Sequence, residues 1–215
     1  MSRCAFFLAL ACLPTFAADL PRRNIEITLE RANEGGWTSV SPRTVFNARD
    51  EIRFRLRANL SGYLYVLNQT NDGSYLWLFP TKATGAENHI EANRNYQIPA
   101  NEGAFRIPPT PGYDTVFWIV SEEPLRELPE LPNPIAPNPA ALLPRCRGEL
   151  RARGPCEDEQ AGPKTLANPE LLPRQLIPPQ NANSDIRIKQ TQGRSVITLP
   201  AAVSFFGYQF VIAHR

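Results

Sequence analysis

Hydrophobic and polar residues alternate with period two along much of this chain. The clearest run is Glu51 to Ala58. Ile52, Phe54, Leu56 and Ala58 alternate with Arg53, Arg55 and Arg57. Successive side chains of a strand point to opposite faces, so the run predicts a half-buried strand with an outward row of arginines. That row reads as a solvated sheet face, with an anionic-ligand surface as the alternative. Asn59-Leu60-Ser61-Gly62 predicts a turn. Tyr63 to Leu67 and Tyr75 to Phe79 are then apolar or aromatic throughout. Between them, Asp72-Gly73 suits the positive φ angles of a tight hairpin turn. With those two residues at the turn centre, Leu67 faces Leu78 and Val66 faces Phe79. Both faces of the hairpin are apolar, as in a central pair of strands covered on both sides or a pair with one aromatic face offered to a ligand.

The same reading extends along the chain. Residues 24–31 alternate and predict the first strand, which Gly35-Gly36 ends. Short strands are expected at Trp37–Val40, Thr44–Phe46, Tyr96–Pro99 and Ala104–Ile107. A strong central strand is expected at Tyr113–Ser121, and closing strands at Arg194–Leu199 and Gly207–Arg215. Thr81 to Asn95 reads as a polar loop. From Pro124 to Pro179 the strand pattern vanishes, and 13 of the 22 prolines fall here. Proline removes backbone donors and favours extended, loop-like chain. This stretch reads as a surface insertion or as a partner-binding arm. Its charge pattern, Arg145, Arg147, Arg151 and Arg153 followed by Glu157, Asp158 and Glu159, fits self-pairing surface charge. The fold class is all-β: an immunoglobulin-like β-sandwich of about eight or nine strands, with a long proline-rich insertion before the last strands. The expected organisation is a signal segment at 1–18, the first part of the sandwich at 19–123, the insertion at 124–193 and completing strands at 194–215.

Composition narrows the compartment and the partners. There are 23 basic and 21 acidic residues, a net charge of +2. This balance argues against a nucleic-acid binder, which gathers a basic excess on one face. Arg3, the apolar run Cys4–Phe16 and the pair Ala17-Ala18 have the order of an export signal cleaved after Ala17 or Ala18. A lipid anchor through Cys12 is the alternative. No later segment is long and apolar enough for a transmembrane helix. In an exported chain Cys146 and Cys156 are an even pair in an oxidising compartment, and a disulfide is expected. It would close a short loop, constraining it by somewhat less than about 3 kcal/mol. Zinc is a poor alternative, since no histidine lies near the pair.

Several of these pieces, taken in order, resemble a bacterial family of domains of unknown function, family 4384. They are Ala48-Arg49-Asp50, Gly62 to Leu67, Asp72-Gly73 and Leu78-Phe79-Pro80. Asn88, Ile98-Pro99, Pro111-Gly112 and Ser121 with Pro124-Leu125 follow. The resemblance runs from about Ile25 to Leu125. It implies an exported β-sandwich of the kind found attached to unrelated enzymes and repeat proteins. The implied role is accessory recognition, with no catalytic residues or cofactor to carry over. Ala48-Arg49 stands where that family usually has a glycine.

Catalytic chemistry is sparse. The two histidines are His89, in a polar loop, and His214. No serine sits in a nucleophile elbow, no glycine-rich phosphate loop occurs, and adjacent Glu122-Glu123 point apart in a strand. The expectation is a non-catalytic module of the bacterial cell envelope, periplasmic or secreted, that binds an envelope protein. Its candidate surface is the hairpin aromatics Tyr63, Tyr65, Tyr75 and Trp77 or the open sandwich edge. A glycan- or small-ligand-binding sandwich, using those rings and Trp37, is the alternative. A small hydrolase is the remote one. No cofactor or metal is expected.

Overall fold

The computed structural model describes residues 22–135, 143–146, 156–179, 182, 185–191, 193–200 and 203–215. The expected signal segment, Cys12, Arg147, Arg151 and Arg153 lie outside the described residues. Among those described, no helix is long and apolar enough to cross a membrane.

The chain is all-β, and two sheets pack face to face as a β-sandwich. The first sheet holds β1 (Arg23–Asn33), β2 (Gly36–Ser39), β4 (Glu51–Ala58), β8 (Asn95–Ile98), β9 (Phe105–Arg106), β12 (Arg187–Thr191) and β13 (Arg194–Leu199). Its order is β12-β13-β1-β4-β8, with β2 on β1 and β9 on β4. The second holds β3 (Val45–Phe46), β5 (Gly62–Gln69), β6 (Tyr75–Phe79), β7 (His89–Ile90), β10 (Gly112–Ser121), β11 (Gly162–Thr165) and β14 (Phe205–His214). Its order is β11-β14-β10-β5-β6, with β3 on β14 and β7 on β5.

Among the described residues fourteen strands form, where about eight or nine were expected. The additional ones are short or polar. β7 has two residues, and β12 alternates exposed and half-buried positions on an edge. β11 carries Pro163 yet pairs with β14, an edge position that tolerates a missing donor. Tertiary pairing, not local pattern, makes these strands.

The hairpin turn also differs from expectation. Val66 does face Phe79, but Leu67 faces Trp77 and the register shifts between them. The loop has three residues, Asn71 to Gly73, closed by Thr70 N–H to the Ser74 carbonyl at 2.9 Å. Gly73 takes φ 86°, the left-handed residue such a loop needs. The bulge on β6 then restores the pairing of Phe79.

Alternation decides what fills the sandwich. Ile25, Ile27 and Leu29 of β1 and Ile52, Phe54 and Leu56 of β4 face Leu64 and Val66 of β5. Val116, Trp118 and Val120 of β10 join the same core. The Phe54 ring meets Trp118 edge-on at 5.0 Å and Phe210 at 5.6 Å. Trp118 stacks on Tyr208 with centroids 6.1 Å apart. The opposite face of the second sheet is apolar too: Tyr65, Leu67, Phe117 and Ile119. Leu125, Leu131, Leu166, Leu171, Leu172 and Leu176 of the proline-rich segment cover it. This segment is a third layer on the sandwich. Two 3₁₀ turns, Pro169–Leu171 and Arg174–Leu176, seat Leu172 and Leu176 in that layer, where both are buried.

Phe54→Ala or Trp118→Ala should each cost about 3–5 kcal/mol in denaturant unfolding, the range for a deleted core aromatic. Tyr208→Phe should leave stability unchanged or raise it. The Tyr208 hydroxyl is fully buried with no hydrogen-bond partner, so its removal relieves a desolvation penalty of about 1–3 kcal/mol.

Candidate functional site: an open seam with a polar-floored cleft

The two lateral seams of the sandwich differ. On one side β11 and β12 lie against each other. Gly162 (φ 96°) makes room there, since a Cβ would stand 3.1 Å from Gln190 Nε2. On the other side the sheets end at β6 and at β8–β9 and part to leave a cleft of about 310 Å³. Its walls are Ile52 and Phe54 of β4, Leu76 and Leu78 of β6, and Phe105 and Ile107 around β9. Leu76, at 39% exposed, is one of the few large apolar side chains open to solvent among the described residues.

Four polar residues, Asn68, Thr70, Arg106 and Asp114, line this largely apolar space, and two of them, Asn68 and Asp114, are buried. Asn68 continues the inward series Leu64, Val66 of β5, and is 7% exposed. Its Oδ1 is buried without a hydrogen-bond partner. Asp114 of β10, also 7% exposed, accepts the Asn71 N–H at 2.8 Å. Its Oδ1 lies 3.4 Å from Nε2 of the fully buried His214, without hydrogen-bond alignment. At the rim, Arg106 Nη2 pairs with Glu51 Oε1 at 2.9 Å. The cleft is also flanked by backbone: β6 pairs with β5 alone among the described residues.

The hairpin aromatics occupy the other face. Tyr65 is buried, and its hydroxyl accepts the Leu125 N–H at 2.8 Å, pinning the start of the proline-rich layer. Tyr63, Tyr75 and Trp77 are half-buried and pack into the same layer. Burial alone pushes the Tyr75 hydroxyl pKa up. Trp37 lies on the outer face of the first sheet, under the Arg53 guanidinium at 4.2 Å. That arginine row is answered by glutamate: Arg53 Nε is 2.6 Å and Arg55 Nη1 is 3.8 Å from Glu30.

The histidines do not meet. His89 is exposed on β7 opposite Tyr63, which in turn faces Ser121 at one end of β10. His214 faces Gly112 at the other end. Ten residues of strand separate those ends, roughly 30 Å at the rise of an antiparallel strand. Glu122 is bound to Arg23 at the end of β10.

Cys146 and Cys156 are bonded, with Cα atoms 5.1 Å apart. Cys156 packs against Val45, Ala161 and Ala213, and its carbonyl accepts the Val45 N–H at 2.8 Å. Beside it, Asp158 is a buried anchor and not surface charge. It accepts from Tyr113 Oη at 2.7 Å, from the Arg145 N–H at 2.5 Å and from the Gln160 N–H at 2.7 Å. Burial opposes its ionisation, but these donors outweigh it and hold its pKa below the ordinary value. Burial, then the bond to this carboxylate, raises the Tyr113 pKa strongly. One sequence signal marked Asn68, a polar residue on the inward face of an apolar strand. No local pattern marked Asp158.

Fold and cleft together define a two-sheet β-sandwich with an apolar cleft at one lateral seam. Residues 45–124 match the family described as Domain of unknown function (DUF4384). The match spans β3 to just past β10, and so includes every cleft residue named above except His214. No curated protein and no solved structure matches the chain.

The Asp158 anchor has a pH signature. A carboxylate with a lowered folded-state pKa stabilises fully above its unfolded value, near 3.8, and loses that contribution as pH falls through the folded value. Asp158→Asn should therefore be less stable than the parent near neutrality. Its deficit should shrink as pH drops below about 4 in urea titrations across pH.

Proposed function

We propose that this chain is a non-catalytic, exported interaction module that holds a protein partner of the cell envelope at its open seam. The carrying observation is the apolar cleft beside β6, an edge strand paired on one side only among the described residues. An unpaired edge presents a row of backbone donors and acceptors to which an extended segment can add as a further strand, and an adjoining pocket takes alternate side chains of that segment. The signal-like order of residues 1–18 and the Cys146–Cys156 bond support an oxidising compartment. The separation of His89 from His214, and the pairing of Glu122 with Arg23, support a binding role over hydrolysis.

The packing of the hairpin aromatics supports the seam over the hairpin as the contact surface. Tyr63, Tyr65, Tyr75 and Trp77 pack beneath the proline-rich layer, so the stacking platform of the glycan reading is occupied by the chain itself. Tyr65→Ala is expected to act on stability, by freeing the Leu125 N–H and opening that layer.

A photo-crosslinking residue placed at Leu76, in cells that produce the chain, is expected to give a discrete protein adduct. The same residue at Lys189, exposed on β12 at the opposite seam, should give none. No adduct at Leu76, or equal adducts at both positions, would overturn the assignment of the seam.

A further inference from the structure

We infer that the cleft at the open seam is a site for an aliphatic ammonium group: the side chain of a lysine carried by the bound segment. The inference rests on the interaction-module reading for the source of that lysine, but the chemistry of the site stands on its own residues.

Ile52, Leu76, Leu78, Phe105 and Ile107 form apolar walls that suit a methylene stem. A lysine buries such a stem along apolar surface and carries its charge at the tip. Acceptors line the same space. Asp114 supplies a carboxylate and Asn68 an amide whose Oδ1 has no donor, with both residues 7% exposed. A buried acceptor without a donor is costly, and a donor-rich head entering the cleft would satisfy it. The charge is complementary as well. The one cationic side chain in the lining, Arg106, is already paired with Glu51, which leaves the Asp114 carboxylate as the charge facing the cavity. His214 is the other titratable group against Asp114, at 3.4 Å, and it lies behind the carboxylate, fully buried. An ammonium–carboxylate contact out of water is charge-assisted and discriminates against neutral or anionic heads.

The probe is hexylammonium, with hexanol and hexanoate as matched controls, titrated into the isotope-labelled mature chain at about pH 8, where an ordinary imidazole is neutral. Saturable amide shifts are expected at Leu76, Leu78, Phe105 and Ile107 with hexylammonium, weaker ones with hexanol, and none with hexanoate. Asp114→Asn, which keeps an oxygen for the Asn71 N–H, should weaken hexylammonium by about tenfold or more, the worth of a charge-assisted bond. Asn68→Leu should weaken it too while leaving the melting temperature unchanged or higher, since it removes an unpartnered acceptor. Equal binding of hexanol or hexanoate, shifts elsewhere on the molecule, or full binding by both variants would overturn the site. The two proposals fail separately. A Leu76 crosslink without hexylammonium binding refutes the lysine and keeps the partner. Hexylammonium binding without any crosslink keeps the site and refutes the partner.

Discussion

Strands β5 and β10 carry apolar side chains on both faces, and each face has to be withdrawn from water. Leu64, Val66, Val116 and Trp118 point one way, and Tyr65, Leu67, Phe117 and Ile119 the other. Burying a large apolar side chain is worth about 1.5–3 kcal/mol, so neither set can be left open without a large penalty. The first sheet covers one set and the proline-rich layer covers the other. The layer is held by its own anchors, the Leu125 N–H on Tyr65 and the Asp158 cluster beside the disulfide. A segment with almost no regular structure is thereby part of the folded body.

That arrangement is the reason the proposed interaction surface is placed at a seam. With both faces of the second sheet occupied and the outer face of the first sheet carrying Arg53 and Arg55 paired to Glu30, the lateral edges are where strands pair on one side only among the described residues. At one edge β11 and β12 lie close together, with no ladder between them. At the other, β9 is only two residues long and the sheets part, exposing Leu76 above the buried pair Asn68 and Asp114.

Much of the fold was legible because alternation is a local property. β4, β6 and β13 have the bounds that their patterns predict, and Val66 faces Phe79 as the turn residues imply. β11 was hidden because Gly162-Pro163-Lys164-Thr165 has no strand pattern of its own and exists as a strand only against β14. The three-residue loop was missed because Asp-Gly suits two loop lengths, and the bulge on β6 then masks the difference. Arg49 shows the converse. It holds φ 70°, the left-handed region that glycine adopts most readily, although neither residue of the pair Ala48-Arg49 is glycine. The candidate site was the least legible part. Ile52, Asn68, Leu76, Phe105 and Asp114 are scattered in sequence, and only the parting of two sheets brings them together.

The placement of β14 has a consequence in time. It lies between β10 and β11 in the second sheet, and β13 lies between β1 and β12 in the first, so the last two strands in chain order are interior to the two sheets. Neither sheet can close around its neighbours until those strands have been made, and pairings of such long sequence separation form slowly. A ribosome delivers the two sheets' central partners last. Until then β1 lacks its β13 neighbour and β10 its β14 neighbour, so both ladders wait on the later stretch of chain.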